Sequence, residues 1–193
     1  MVTFLFPDNR YPAQPFTHTR PIARAIVLDA KGKVYLHHIH RNDLFGDATY
    51  YETPGGGVDE GETYEQAVVR ECEEELGVVV EVLAPIAEVE DAYHLIGRKN
   101  INRFFLCKEV KKTKLHHESS GDDLIASTDT YSIDEAIALY QSQSEQGVPG
   151  LVKQRELPIL LLAKAYLERS GRDDARFVIV AQGKYLRVGE FAL

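Results

Sequence analysis

The stretch GGVDEGETYEQAVVRECEEELGV, from Gly56 to Val78, decides the fold. Thr63 is followed three residues later by Gln66, which is the capping-box pattern of a helix start. Gly77 suits the left-handed residue that ends many helices. Three glycines, Gly55–Gly57, precede the helix and allow the backbone to approach a ligand closely. We therefore predict a glycine-rich turn followed by a helix from near Thr63 to Gly77.

Glutamates crowd the C-terminal end of this helix, at Glu71, Glu73, Glu74 and Glu75. At about 100° per residue, Glu71, Glu74 and Glu75 share one face, separate from the apolar face. Each like-charge pair costs roughly 0.2–0.5 kcal/mol, and the helix dipole disfavours anions at this end. Arg70 relieves only part of that repulsion. A solvated acidic face is one interpretation; a site for a hard divalent cation such as Mg²⁺, Mn²⁺ or Ca²⁺ is the other.

Seven residues of the stretch fall at the fixed positions of a known pattern: Gly56, Glu62, Arg70, Glu71, Glu74, Glu75 and Gly77. Together they resemble the Nudix box, G-x5-E-x7-R-E-U-x-E-E-x-G-U, with Cys72 and Val78 at the apolar U positions. Seven identities have a chance probability on the order of 10⁻⁸ per window at average residue frequencies. The glycines and glutamates thus favour the cation site over a solvated acidic face.

The resemblance implies an α/β fold, a Nudix-type α/β/α sandwich around a mixed β-sheet. It also implies a Mg²⁺- or Mn²⁺-dependent hydrolase that cleaves the diphosphate linkage of a nucleoside diphosphate derivative by water attack at phosphorus. Nucleotide sugars, ADP-ribose, dinucleoside polyphosphates and nucleoside triphosphates all stay open as substrates. Selectivity is expected to lie in the loops around residues 41–52, 91–100 and 111–130.

The family pattern also implies roles for particular residues. Glu71, Glu74 and Glu75 would bind the metal together with the carbonyl oxygen of Gly55, and Glu71 or Glu74 would activate the water.

Arg70 is then expected to orient the carboxylates, and Glu62 to hold the loop through backbone N–H groups and Arg70. Gly56 and Gly77 would serve backbone geometry.

A further acidic ligand or general base lies on a later loop in many relatives. Glu118, Asp122 and Asp123 are the candidates here, with Asp122 and Asp123 slightly favoured because they precede a helix start at Tyr131.

The rest of the chain is expected to form three parts. Residues 1–20 contain three prolines and predict an irregular N-terminal arm. Residues 21–170 form the Nudix-like domain, with strands before the box, a polar loop at 111–130, a helix capped by Ser132 and Glu135, and an apolar helix from Glu156. Residues 171–193 predict a terminal β-hairpin packed on the same domain.

Composition limits the possible partners. The chain has 193 residues and a formal net charge of −8, which argues against a broad nucleic-acid surface. Cys72 and Cys107 are predicted to be reduced core thiols, which fits a cytoplasmic protein. No leader or membrane span is expected. The partner is expected to be a small nucleotide derivative, without nucleic acid or membrane, and a homodimer is open.

Two other functions are alternatives for a chain with this pattern. A non-catalytic nucleotide-sensing module of this fold often loses box glutamates, and every one is present here. An isopentenyl-diphosphate isomerase needs a catalytic cysteine and further His and Glu ligands, which are not evident. His37, His38 and His40 lie on a predicted strand, with His38 and His40 on one face and His37 on the other. We expect them to be ordinary surface or edge histidines.

Overall fold

The computed structural model describes residues 1–114, 122–169, 178–181 and 184–187. Eight strands form one mixed sheet in the order β1-β6-β7-β2-β3-β4, with β5 paired to β2 and β8 paired to β3. The strands are β1 Val2–Phe6, β2 His18–Leu28, β3 Val34–Asp43, β4 Gly46–Glu52, β5 Gly55–Gly57, β6 Val78–Tyr93, β7 Arg98–Lys112 and β8 Ile125–Tyr131.

Helices cover both faces of the sheet. They are α1 Tyr64–Leu76, α2 Ile133–Ser142 and α3 Gly147–Arg169. Helix α1 packs through Val68 and Cys72 on the face that carries Ala23, Ala25 and Val27. Helices α2 and α3 pack on the opposite face, which carries alternate residues of the same strands. The predicted three-layer α/β/α sandwich is confirmed.

The caps predicted for the helices are present. Thr63 accepts the backbone N–H of Gln66, and the Gln66 side chain accepts the backbone N–H of Thr63. Gly77 ends α1 with φ 63°. Ser132 and Glu135 form the same reciprocal pair at the start of α2. These local signals place α1 to within a residue of its predicted bounds.

The expectation of an irregular arm over residues 1–20 is wrong in part. Val2–Phe6 pairs in parallel with β6, and Phe4 is buried in the core. Strand β2 begins at His18 rather than after residue 20. The prolines lie between these two strands, so they mark the connection and not the whole arm.

Two other boundaries differ from the prediction. Ile125–Tyr131 is not loop but β8, which pairs with β3; its polar residues lie on a strand that is largely exposed. Helix α3 starts at Gly147 rather than near Glu156. Pro149 lies in its first turn, where an amide would have no helical acceptor, so this proline does not break the helix.

Near the C-terminus, β9 Val178–Ala181 and β10 Lys184–Arg187 pair antiparallel, as the predicted hairpin requires. Its packing on the domain stays a prediction. Cys72 and Cys107 are buried free thiols, as expected. No helix in the described part of the chain is long and apolar enough to cross a membrane.

A split between neighbouring strands positions the glycine turn. Strands β2 and β3 pair only at Leu28 and Val34, so they diverge beyond that point. The short strand Gly55–Gly57 pairs with β2 at residues 22–24 in the space that opens. The chain then enters α1, and the box glutamates face this split.

Candidate active site

Glu71 lies directly over the second glycine of the turn. A Cβ atom at Gly56 would lie 2.5 Å from Glu71 Oε1, closer than non-bonded atoms approach. Glu71 is 8% exposed, so it is buried rather than part of a solvated acidic face. Burial, and next the negative charge of Glu75, raise the pKa of Glu71 to about 7, although Arg70 opposes the shift. The absence of a side chain at Gly56 is what admits this carboxylate.

Arg70 links the loop to the carboxylates. Its guanidinium donates to both oxygens of Glu62 at 3.0 and 2.9 Å and to the carbonyl oxygen of Gly57 at 2.9 Å. Nη1 also donates to Glu71 at 2.8 Å and to Glu74 at 3.1 Å. The hydrogen bonds to Glu62 and Glu71, which outweigh partial burial, raise the pKa of Arg70. The arginine therefore stays charged and holds two of the box glutamates in place.

Glu62 in turn closes the loop ahead of the helix. Besides the two bonds from Arg70, it accepts the backbone N–H of Asp59 at 3.1 Å. The Arg70 hydrogen bonds lower the pKa of Glu62, so it remains ionised at neutral pH.

Glu75 connects the helix to the glycine turn and to β3. Its Oε2 accepts the backbone N–H of Gly55 at 2.7 Å and lies 3.2 Å from His37 Nε2. His37 Nδ1 lies 2.8 Å from Thr128 Oγ1 on β8. His37 is only 2% exposed, so the expectation of an ordinary surface or edge histidine is wrong for this residue.

The donor set suits a hard divalent cation. Glu71, Glu74 and Glu75 supply carboxylate oxygens on one side of the helix, and Gly56 leaves the room that a Cβ would fill. Burial first, and then the like charge of Glu75, raise the pKa of Glu71, and a bound cation would favour the ionised carboxylate. Within the described residues, no group of three or more His, Cys, Asp or Glu side chains is placed so that it could hold a metal ion. In this arrangement Arg70 contacts Glu71 and Glu74, and His37 contacts Glu75.

A buried charge network fixes the segment that leads into the turn. Glu156 on α3 accepts the backbone N–H of Thr53 at 2.8 Å, and Arg24 donates to the Thr53 carbonyl oxygen at 3.0 Å. Glu52 lies 2.7 Å from Arg24 Nη2 and 2.6 Å from Arg155 Nη2. Both sides of the Thr53 peptide are therefore held two residues before Gly55.

Arg155 is the centre of this network and is 1% exposed. It contacts Glu52, Glu156, Asp91 and the hydroxyl of Tyr93. Sequence reasoning missed the network, although charged residues inside apolar segments, such as Arg24 in ARAIVL, are a usable signal because a buried charge requires a partner.

The structure brings together the predicted box residues, Gly55, Gly56, Glu62, Arg70, Glu71, Glu74 and Glu75. The described residues do not place the candidate acids of the later loop beside these box residues. Asp123 lies exposed in a short turn, Asp122–Leu124. Glu118, and the side chain of Asp122, lie outside the described residues, so their roles stay predictions.

Comparison with known proteins gives a consistent family. The family model described as the NUDIX domain matches residues 18–149, which is more than half of the chain. "Nudix hydrolase 7" of Arabidopsis thaliana is 32% identical over 85 residues, covering 44% of this chain and 30% of that protein. "8-oxo-dGTP diphosphatase" of Haemophilus influenzae is 43% identical over 58 residues, covering 30% of this chain and 41% of that protein. The matches thus span less than half the length of these curated relatives.

Solved structures agree on the fold. A NUDIX hydrolase from Nitrosomonas europaea superposes with a TM-score of 0.57 at 18% identity, over 78% of this chain and 90% of that one. A MutT protein from Methanosarcina mazei gives a TM-score of 0.56 at 18% identity, over 82% of this chain and all of that one (100%). At these identities the likeness concerns the architecture alone.

Proposed function

The chain belongs to the NUDIX domain family, and from that membership we propose that it is a Mg²⁺-dependent hydrolase of nucleoside diphosphate derivatives. The observation that carries the proposal is the joint placement of Glu71, Glu74 and Glu75 beside Gly55–Gly57, held by Arg70 and His37. Curated relatives named as an 8-oxo-dGTP diphosphatase and an RNA pyrophosphohydrolase support a reaction at a phosphoric anhydride.

The metal would be held by Glu71, Glu74 and Glu75 with the carbonyl oxygen of Gly55. When bound, a divalent cation neutralises charge on phosphate oxygens and makes water a better nucleophile at neutral pH. Mg²⁺ is preferred to zinc because every donor is a hard oxygen. Mn²⁺ would meet the same requirement.

The residues of the chain would divide the remaining work. Glu71, buried beside the glycine turn, is one candidate for the base that accepts a proton from the attacking water. Glu74 is the other candidate for that base.

Arg70 would keep Glu71 and Glu74 oriented rather than touch the substrate, because its donors are directed to Glu62, Gly57 and the two glutamates. The network around Arg155 would hold the glycine turn so that backbone groups stay aligned with the diphosphate.

Product analysis tests this function. The full chain would be incubated with Mg²⁺ and a panel of ADP-ribose, nucleotide sugars, dinucleoside polyphosphates and nucleoside triphosphates, with and without a chelator. We expect chelator-sensitive cleavage within the diphosphate of at least one class, with products separated by chromatography. A protein that cleaves none of them, yet melts at a higher temperature with one of them bound, would be a sensor and not an enzyme.

A further inference from the structure

Four arginines lie near one another on the α3 side of the sheet, close to the glycine turn. Arg24 and Arg155 are paired with buried carboxylates. The other two are Arg20 on β2 and Arg98 on β7. Arg20 stands opposite Asn100 in the parallel pairing of these strands, two residues from Arg98, so the two arginines are diagonal neighbours on one face. Among the described carboxylates, none lies within ion-pair distance of either arginine.

Arg98 is half-buried, and one of its guanidinium donors has no acceptor among the described residues. Its Nε atom is enclosed and makes no hydrogen bond with the described residues. The guanidinium lies 5.5 Å from the centre of the Tyr93 ring. Burial, and also the charges of Arg20 and Arg155, lower the pKa of Arg98, with Tyr93 opposing. An enclosed donor without an acceptor is destabilising, and an anion placed here would supply the missing acceptor.

The second positive charge, that of Arg20, lies beside the glycine turn. Its Nη2 atom lies 2.8 Å from the point that a Cβ of Gly57 would occupy, so the guanidinium rests on the bare backbone of the third glycine. The carbonyl oxygen of the same glycine accepts from Arg70. Gly55, the proposed metal ligand, is two residues away, or about 7 Å along an extended chain. That distance is within reach of one further phosphate group.

The local charge is also unbalanced. In the described ranges of the chain, the carboxylates paired with this group of four arginines are those of Glu52, Asp91 and Glu156. The pairs that do form are buried, and the excess positive charge is left at the rim beside Gly57. Guanidinium groups bind phosphate through paired N–H donors.

We infer that Arg20 and Arg98 form a second anion site, which binds a phosphate group additional to the two of the cleaved linkage. This inference rests on the proposed function and narrows it. Substrates with three or more phosphates, such as nucleoside triphosphates or dinucleoside polyphosphates, would be preferred to ADP-ribose and nucleotide sugars.

Calorimetric titration with inorganic tripolyphosphate and pyrophosphate tests this site apart from nucleotide hydrolysis. The full chain is titrated at low ionic strength with a constant excess of Mg²⁺, so that two phosphates of either ligand can occupy the proposed metal site. Wild type is expected to bind tripolyphosphate about tenfold more tightly than pyrophosphate, the effect of one charge-assisted hydrogen bond or more. Arg20→Gln and Arg98→Gln should each remove most of that preference while leaving pyrophosphate affinity within about twofold.

Arg103→Gln is the matched control. Arg103 lies on β7 but on the opposite face, with Nε 2.9 Å from Glu88 Oε2. The Arg103→Gln variant removes one positive charge, as the other two variants do. It should leave the affinities for tripolyphosphate and for pyrophosphate unchanged. Arg98→Lys keeps the positive charge but loses the paired N–H donors of the guanidinium. It is a milder variant to use if Arg98→Gln lowers the melting temperature. It should retain only part of the preference for tripolyphosphate.

The inference is overturned if wild type shows no preference for tripolyphosphate, or if Arg103→Gln weakens binding as much as the other two variants. A chain that hydrolyses ADP-ribose with Mg²⁺ but lacks the preference keeps the proposed function and loses this site. A chain that shows the arginine-dependent preference but hydrolyses nothing loses the proposed function instead.

Discussion

Glu75 Oε2 lies 3.2 Å from His37 Nε2, inside the protein. The same oxygen accepts the backbone N–H of Gly55 at 2.7 Å. One carboxylate therefore ties together α1, the glycine turn and β3. Because a carboxylate only accepts hydrogen bonds, His37 donates through Nε2. This contact fixes the rotamer of a glutamate that we propose as a metal ligand.

Replacing His37 by Ala should therefore slow Mg²⁺-dependent hydrolysis by about tenfold to a hundredfold, the usual effect of losing a group that orients a metal ligand. The loss should appear in kcat more than in KM, and a higher Mg²⁺ concentration should recover part of it. His37→Gln retains a donor and should be milder. His40→Ala, on the same strand but exposed, is the control. Equal losses in both Ala variants would contradict the assignment.

Removing Arg155 should destabilise the fold. Arg155→Met removes one of the two arginines that Glu52 and Glu156 share, the other being Arg24, and also the ion pair of buried Asp91. The free energy of unfolding should therefore fall by about 3–5 kcal/mol. Chemical denaturation measures this. Lys164 lies on the same helix as Arg155 and makes an exposed pair with Asp134 of α2, so Lys164→Met should change stability little. Similar stability for the two variants would show that the network is not what holds the end of β4.

Because of Glu52, the free energy of unfolding should depend on pH. Burial alone would raise its pKa, but the charges of Arg24 and Arg155 outweigh burial and lower the pKa to about 2. Its contribution is therefore present above about pH 4.5, the ordinary value, and is lost as the pH falls toward 2.

Glu52→Gln should accordingly be less stable than wild type at pH 7 and should converge with it toward pH 2. Unfolding curves across this range test the prediction. A constant difference between wild type and variant at every pH would contradict it.

Bound Mg²⁺ should stabilise the folded chain, because it relieves the repulsion among Glu71, Glu74 and Glu75. At about a hundred times the dissociation constant, the gain is about 2.7 kcal/mol. Melting curves with Mg²⁺ and with a chelator measure it. The shift should shrink in Glu71→Gln and persist in Glu73→Gln, whose side chain is exposed. An unchanged melting temperature in wild type would mean that the glutamates hold no cation.

The sequence predicted the parts of the fold that depend on local signals. The caps at Thr63 and Gly77 and the spacing of the box are set by residues within one helix, so the pattern alone locates them. The pairing of Val2–Phe6 with β6 and of Ile125–Tyr131 with β3 depends on distant partners, and no local pattern reveals it. His37 and Arg155 belong to the same class, because their roles arise only when β3, α1 and α3 are brought together.

We propose that the box glutamates, and not the negative charge of helix α1 in general, carry out hydrolysis. Glu74 and Glu73 are neighbours on α1; Glu74 accepts from Arg70, whereas Glu73 is exposed. The direct measurement is the initial rate of Mg²⁺-dependent product release by Glu74→Gln and Glu73→Gln on the best substrate of the panel. We expect Glu74→Gln to lose about a hundredfold or more and Glu73→Gln to stay near wild type. Equal rates in the two variants would contradict the account.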